Sequence, residues 1–344
     1  MNIRHFTQQG KRSNNEDSLG ITEGLLTVCD GVGGHVSGEV ASGFVVKAMT
    51  EAFSQPQPIS KSDIQNQLHK VQEDLSAQLE AHPEQERMGT TFTGVFITPK
   101  AWYAAHIGDS RIYLFRPSEQ KLWHTWDHSL VGELMRTKEI TVEAGRFHPL
   151  SNHIDKAIIA QRDREPVEAS VVELSNLKAG DILLLCSDGV VEAWGDWELV
   201  RLFTDTSLSL KQKCEKLRLQ CAERSRDNNT AIIAEITEKD AFSFGDNKDL
   251  KWTSFAEVEA DYKRYLKENE KEEEKEDIVQ STDSNDKETL KHKTGSSSKV
   301  SDEPTPCPSA LPPINGGRKR KWVLVIIFLS ILAVVLYYLL KGGK

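Results

Sequence analysis

Four aspartates in this chain stand at the ends of apolar, strand-like runs, and the repetition is its first chemical signal. Leu25-Leu26-Thr27-Val28-Cys29 leads into Asp30-Gly31-Val32-Gly33-Gly34-His35, and Ile182-Leu183-Leu184-Leu185-Cys186 leads through Ser187 into Asp188-Gly189. Asp109 sits in Gly108-Asp109-Ser110 between two β-rich runs, and Asp227 precedes the run Thr230 to Ile236. Such runs read as buried strands bounded by turn signals. One aspartate in a glycine turn is ordinarily a turn former; four beside apolar runs are a pattern. In an antiparallel sheet the end of one strand lies beside the start of the next. The four carboxylates can therefore meet at one edge, joined by Glu16 from the N-terminal segment.

Carboxylates clustered without His or Cys partners suit hard, oxygen-preferring ions such as Mg²⁺ or Mn²⁺. Without metal they repel one another. Two such ions can deprotonate a bridging water and stabilise in-line attack at phosphorus. A nearby arginine would clamp the phosphoryl oxygens; Arg12 stands four positions before the acidic pair Glu16-Asp17, where Asp17 reads as support.

The elements that must position these groups are legible in outline. Apolar residues at 40, 41, 44, 45, 48, 49, 52 and 53 predict a helix over Glu39–Phe53, broken by Pro56 and Pro58. Ile64, Leu68, Val71, Leu75 and Leu79 predict a second over Ser62–His82. Strands are expected near 91–98, 102–107 and 111–116, with Gly108-Asp109-Ser110 a hairpin tip between the last two. Residues 127–165 read as a short helix, capped by Asp127 or Ser129 and ending near Lys138, followed by an irregular flap. Strands near 169–174 and 181–187, helices at 196–204 and 209–224, and the strand Thr230–Ile236 complete a folded region at about residue 238.

The formal net charge of −9 over 344 residues argues against nucleic acid as partner, since phosphate binding needs a basic face. Five cysteines without a CxxC pair fit a reducing compartment, Cys29 and Cys186 read as buried free thiols within apolar runs, and the polar N-terminus carries no secretory signal. Residues 239–321 read as a charged helix opening on the capping box Ser254-Phe255-Ala256-Glu257 and running to about Asp277. A disordered, Ser/Thr/Pro-rich tether over Ile278–Gly317 follows. Trp322 to Leu340 is nineteen uncharged residues, about 28 Å as a helix, which matches a bilayer core. Arg318-Lys319-Arg320-Lys321 on its N-terminal flank predicts a single transmembrane anchor with the bulk of the chain cytoplasmic, and residues 341–344 a short tail.

Seven motifs then fall in order: Arg12-Ser13-Asn14-Asn15-Glu16-Asp17, Asp30-Gly31-Val32-Gly33-Gly34-His35, Gly89-Thr90-Thr91, Gly108-Asp109-Ser110-Arg111, Asp127-His128-Ser129, Ser187-Asp188-Gly189 and Asp227-Asn228. Together residues 1–238 resemble the bacterial-style, metal-dependent type 2C serine/threonine protein phosphatases. The resemblance implies an α+β fold, a four-layer α-β-β-α sandwich of two antiparallel sheets between helices, with the metal site at one sheet edge. It implies hydrolysis of phosphoserine and phosphothreonine with two Mn²⁺ or Mg²⁺ per site and a weak third. By position, Asp30 would bridge both metals, Asp188 and Asp227 complete one, and Glu16 with the Gly31 carbonyl serve the other. Asp109, with Asp188, would match the third, and Arg12 would bind the substrate phosphate. Phosphorylated proteins, a membrane serine/threonine kinase and its substrates are the partners this implies.

Two departures stand out. Animal members carry a proposed general-acid histidine where this chain has Val32, with His35 three residues later. The flap reads Ser151-Asn152-His153-Ile154-Asp155-Lys156-Ala157-Ile158-Ile159-Ala160, without the arginines and glycine of related bacterial sequences. A metal-dependent hydrolase of small phosphoesters and a non-catalytic phosphoprotein-binding regulator of the same fold are the alternatives.

Overall fold

The computed structural model describes residues 1–32, 37–162, 165–247 and 249–288. Two antiparallel sheets dominate it. The first has the order β1 (Asn2–Gln8), β13 (Asn229–Glu235), β12 (Ile182–Cys186), β7 (Arg111–Arg116), β8 (Lys121–His124) and β15 (Thr253–Ser254). The second runs β10 (Ser170–Leu174), β6 (Trp102–Ile107), β5 (Phe92–Ile97), β3 (Leu25–Val32), β4 (Gly89–Thr90) and β9 (Ile158–Ile159), with β2 (Asp17–Ile21) also paired to β3. A short ribbon joins β11 (Asn176–Leu177) to β14 (Phe242–Ser243).

The period-two alternation of these strands sorts side chains into three apolar layers. Leu25 and Cys29 of β3 pack with Ala41, Val45 and Met49 of α1 (Gly38–Ala52) and Ile64, Leu68 and Val71 of α2 (Lys61–Ala77). Leu26 and Val28 point the other way, against Leu183, Leu185, Ile232 and Ala234 of the first sheet. That sheet's opposite face, with Leu184, Cys186 and Ile233, is covered by α5 (Asp188–Ala193), α6 (Asp196–Thr204) and α7 (Leu210–Arg224). Helix, sheet, sheet and helix therefore stack in the expected order.

Several local expectations change. Gly108-Asp109-Ser110 is not a hairpin tip: β6 belongs to the second sheet and β7 to the first, so this turn carries the chain between layers. Gly108 makes the change of direction at φ +98°, a conformation open to glycine. The polar start of the chain forms β1, an edge strand whose only buried residue is Phe6. The second helix stops at Ala77 and tightens into a 3₁₀ turn over Gln78–Glu80. The flap holds α3 (Leu130–Arg136), capped by Ser129, then α4 (Val142–Arg146) and the sheet-edge strand β9.

The compact unit carrying these layers extends to Lys271, past the change of composition near residue 238. Leu250 and Val258 are buried in it, and Arg116 stacks on Trp252 at 4.9 Å. The charged helix, α8, spans Phe255–Glu288 and so continues eleven residues into the stretch expected to be disordered; no Pro or Gly interrupts it there. The remainder of the tether, the 322–340 anchor and the 341–344 tail lie outside the described residues, as does His35. Among the described residues no helix is long and apolar enough to cross a membrane. Cys29, Cys186, Cys214 and Cys221 are free and buried.

One buried ion pair pins the turn between the layers. Arg111, 3% exposed, donates to both oxygens of Asp127 at 2.6 and 2.7 Å and to the Tyr113 hydroxyl at 3.0 Å. Asp127→Ala would leave this guanidinium only Tyr113 and the more distant Asp196, at 3.9 Å, so urea unfolding should show a loss of about 3 kcal/mol; a loss below about 1 kcal/mol would mean the pair is dispensable.

Candidate active site

The strand registers bring the acids together. Cys186 pairs with both Ala231 and Arg111, so Asp188, Asp227 and Asp109 emerge at the same end of the first sheet. Asp30 reaches that end from the second sheet, opposite Asp17 in the β2–β3 pair. The Gln8–Asn229 pairing of β1 with β13 delivers the loop carrying Arg12 and Glu16. All seven residues singled out from the sequence line one cleft of about 910 Å³: Arg12, Glu16, Asp30, Gly31, Asp109, Asp188 and Asp227. The site thus lies between the ends of two sheets rather than along the edge of one.

Each acid is held through its backbone or its neighbours. Asp30 N–H donates to Thr91 Oγ1 at 3.0 Å, while Thr91 N–H and Thr90 Oγ1 donate to its carbonyl at 2.8 and 2.9 Å. Gly31 is an enforced glycine: a Cβ there would lie 2.5 Å from the Gly38 carbonyl carbon and 2.8 Å from Glu16 Cβ. Gly38 opens α1 directly beneath the Glu16 carboxylate, where the helix N-terminus favours negative charge. The Gly108 N–H donates to His128 Nδ1 at 3.1 Å, which fixes the turn bearing Asp109. Ser187 Oγ donates to Asp17 Oδ2 at 2.8 Å and accepts from Thr230 N–H at 3.0 Å, locking the start of α5 at Asp188.

The sequence reading held Asn228 only as part of the Asp227-Asn228 motif, with no role of its own, and missed Glu192; both are positioning residues. The Asn228 amide donates to the Gln9 and Asn14 carbonyls, both at 2.7 Å, and its oxygen accepts from Glu16 N–H at 2.9 Å. It clips the N-terminal loop to the Asp227 loop. Glu192 Oε2 accepts from Ser225 Oγ at 2.9 Å, Arg226 N–H at 2.8 Å and Asp227 N–H at 3.3 Å, so it aims Asp227. The available signals were the residue after Asp227 and an acid one helical turn after Asp188.

The electrostatics are those of crowded, buried acids. Burial, followed by the charges of Asp17, Asp188 and Asp109, raises Asp30 well above the usual carboxylate range. Burial and then Asp109 and Asp227 do the same to Asp188. Burial pushes Asp109 up to about 7 and Asp17 up to about 6, and Glu16 is also raised, first by burial. Arg12 is the cation paired within the cluster, to Asp227, and that hydrogen bond raises its own pKa. Buried Asp188 Oδ1 and Asp17 Oδ1 have no hydrogen-bond partner. Among the described residues no three acidic, His or Cys side chains are yet drawn close enough around one point to hold an ion.

Comparison with known proteins places the chain in a family. A model of the family described as protein phosphatase 2C matches residues 8–223. The chain belongs to the protein phosphatase 2C family. It is 31% identical over 234 residues to the serine/threonine protein phosphatase PstP of Mycobacterium tuberculosis, covering 67% of this chain and 43% of that protein. The chain thus spans under half the length of that curated relative. The crystal structure of serine/threonine phosphatase Stp1 from Staphylococcus aureus matches with a TM-score of 0.60 and 31% identity, covering 68% of this chain and 94% of Stp1. The catalytic domain of PstP, solved in complex with two manganese ions, matches with a TM-score of 0.57 and 29% identity over 69% of this chain and 98% of that one.

Raised carboxyl pKa values carry a stability consequence with a definite sign. The folded protein holds protons that the unfolded chain releases near pH 4, so this stabilisation is complete below about pH 4 and lost as pH rises towards about 7. Stripped of divalent ions, the full chain should therefore melt at lower temperature at about pH 7 than at about pH 5. Added Mn²⁺ should raise the midpoint more at the higher pH, where the carboxylates are ionised. A midpoint that rises with pH in the stripped protein would contradict the crowding of these acids.

Proposed function

We propose that this protein hydrolyses phosphoserine and phosphothreonine in other proteins, with Mn²⁺ or Mg²⁺ held in the acidic cleft. The observation that carries this reading is the meeting of Glu16, Asp30, Asp109, Asp188 and Asp227 around one cleft, with a buried Asp188 oxygen left without a partner. An all-oxygen donor set of crowded carboxylates fits such ions, and the two manganese ions of the PstP complex support it. Asp30 would be shared between two ions, Asp188 and Asp227 would complete one, and Glu16 with the Gly31 carbonyl would complete the other. Asp109 with Asp188 would hold a weaker third. Once bound, the ions supply an acidified water for attack at phosphorus and positive charge for the transition state.

The chain's own groups do the rest. Arg12 lies exposed at the rim, and its fork of donors matches a phosphoryl group bidentately once Asp227 no longer engages it. Asn228 and Glu192 keep Arg12, Glu16 and Asp227 in mutual register. Lys156 lines the cleft, and His35 lies outside the described residues. The cleft also runs into a second one of about 1090 Å³ through Arg12, Asp109, Asn152, Asp188 and Asp227. Such continuity favours a protein segment over a small phosphoester. The hydrophobic run 322–340 and its basic flank support a reading in which the phosphatase works at the cytoplasmic face of a membrane, on substrates of a membrane kinase.

The full chain with Mn²⁺ should release phosphate from a phosphothreonine peptide faster than from nucleotides, and EDTA should abolish release. Asp30→Asn and Asp188→Asn should each lower kcat by about 100-fold or more. Arg12→Ala should lower kcat/KM by about 10–100-fold, the worth of a charge-assisted pair. Turnover that survives EDTA, or an unimpaired Asp188→Asn, would refute the metal-dependent reading; faster turnover of nucleotides would make it a small-phosphoester hydrolase.

A further inference from the structure

Beyond Arg12, Asp109, Asp188, Asp227 and Glu192, the second cleft is lined by residues that the reaction itself does not use. Its walls come from the Arg12 loop, α5 and the Arg224–Arg226 turn on one side, and from α3, α4 and Tyr262 of α8 on the other. The family match ends at residue 223, so the α8 wall lies outside it.

Asp109, Asp188 and the Arg12–Asp227 pair belong to the end shared with the reaction cleft. Beyond it the charges divide into two groups. Asp127 is paired with Arg111, Glu143 with Arg146 and Glu198 with Arg224, while Glu192 accepts from the Ser225 hydroxyl and backbone donors. Lys11 and Arg226 are exposed on the lining and face no carboxylate partner among the described residues; the Lys11 ammonium only reaches the Glu223 carbonyl, at 3.5 Å. Two free cations therefore stand beside the mouth of the reaction cleft.

The opposite wall presents an apolar platform. Phe147 is 61% exposed, yet it is firmly mounted. The Arg146 guanidinium lies 5.0 Å from its ring centroid, and the Tyr265 ring stacks on it at 6.2 Å and 23°. Arg146 is anchored by donating to the Val191 and Glu192 carbonyls at 2.8 and 2.9 Å. Asp261 of α8 accepts from Val142 N–H at 2.8 Å and so fastens α8 to the start of α4. Mounted in this way, the exposed Phe147 ring offers a fixed apolar surface beside the cleft.

We propose that this second cleft binds the stretch of phosphoprotein flanking the phosphoresidue and selects acidic sequences, a proposal that rests on the phosphatase reading. An Asp or Glu beside the phosphoresidue pairs with Lys11 and Arg226, and an apolar side chain further along lies on Phe147. Lys11, Arg226 and Phe147 are then specificity-determining residues, and α8 is the chain's own addition to the substrate surface.

The test uses the full chain with Mn²⁺, three phosphothreonine peptides differing only in acidic, neutral or basic flanks, and p-nitrophenyl phosphate as a substrate without flanks. At low salt, acidic flanks should raise kcat/KM by about tenfold over basic ones, and the advantage should shrink as salt is added. Arg226→Glu should reverse the ranking, and Phe147→Ala should lower kcat/KM for every peptide several-fold. Both variants should keep p-nitrophenyl phosphate turnover within about twofold of the parent. A ranking unchanged in Arg226→Glu, or peptide and p-nitrophenyl phosphate rates falling together, overturns the groove. A parent that cleaves p-nitrophenyl phosphate without regard to flank charge overturns the groove alone, whereas one that cleaves neither substrate overturns the phosphatase reading with it.

Discussion

Repulsion among buried carboxylates is the constraint around which this structure is arranged. Elsewhere the chain compensates its buried acids: Asp127 meets Arg111, and Asp181 meets Arg116 at 2.7 Å. At the junction of the two sheets it does not. Among the described residues Asp30, Asp109 and Asp188 are buried together without an ion pair of their own, while Asp227 has one, with Arg12. A fold that pairs its acids where stability is at stake and leaves them unpaired in one cleft is prepared for charge from outside.

That preparation depends on backbone architecture more than on the acids themselves. Thr90 and Thr91 hold Asp30 in place, Ser187 ties Asp17 to the start of α5, and Asn228 and Glu192 lock two loops together. These groups hold like charges near one another without neutralising them, which is what preorganisation requires.

The sequence showed the acids and the strands that carry them because both are local signals, whereas the order of the layers came from the family resemblance alone. Asp30 and Asp188 follow continuous apolar runs, and Leu25, Leu26, Val28 and Cys29 alternate with the strand period. What it hid was set by distant partners. β1 is a polar edge strand recognisable only from its pairing with β13. The Gly108–Ser110 turn reads as a hairpin because nothing local records that β6 and β7 enter different sheets. Asn228 is only the second residue of a motif, and Glu192 an ordinary helix residue, until their acceptors and donors, from remote parts of the chain, are in view. The same holds for residues 239–271, whose charged composition masks Leu250 and Val258 in the core.

The account is tested most directly by anomalous diffraction at the manganese absorption edge from crystals of the protein grown with Mn²⁺. It predicts peaks inside the cleft, in contact with Asp30, Asp188, Asp227 and Glu16. A cleft without a peak at saturating Mn²⁺, or peaks confined to surface acids such as those of α8, would contradict it.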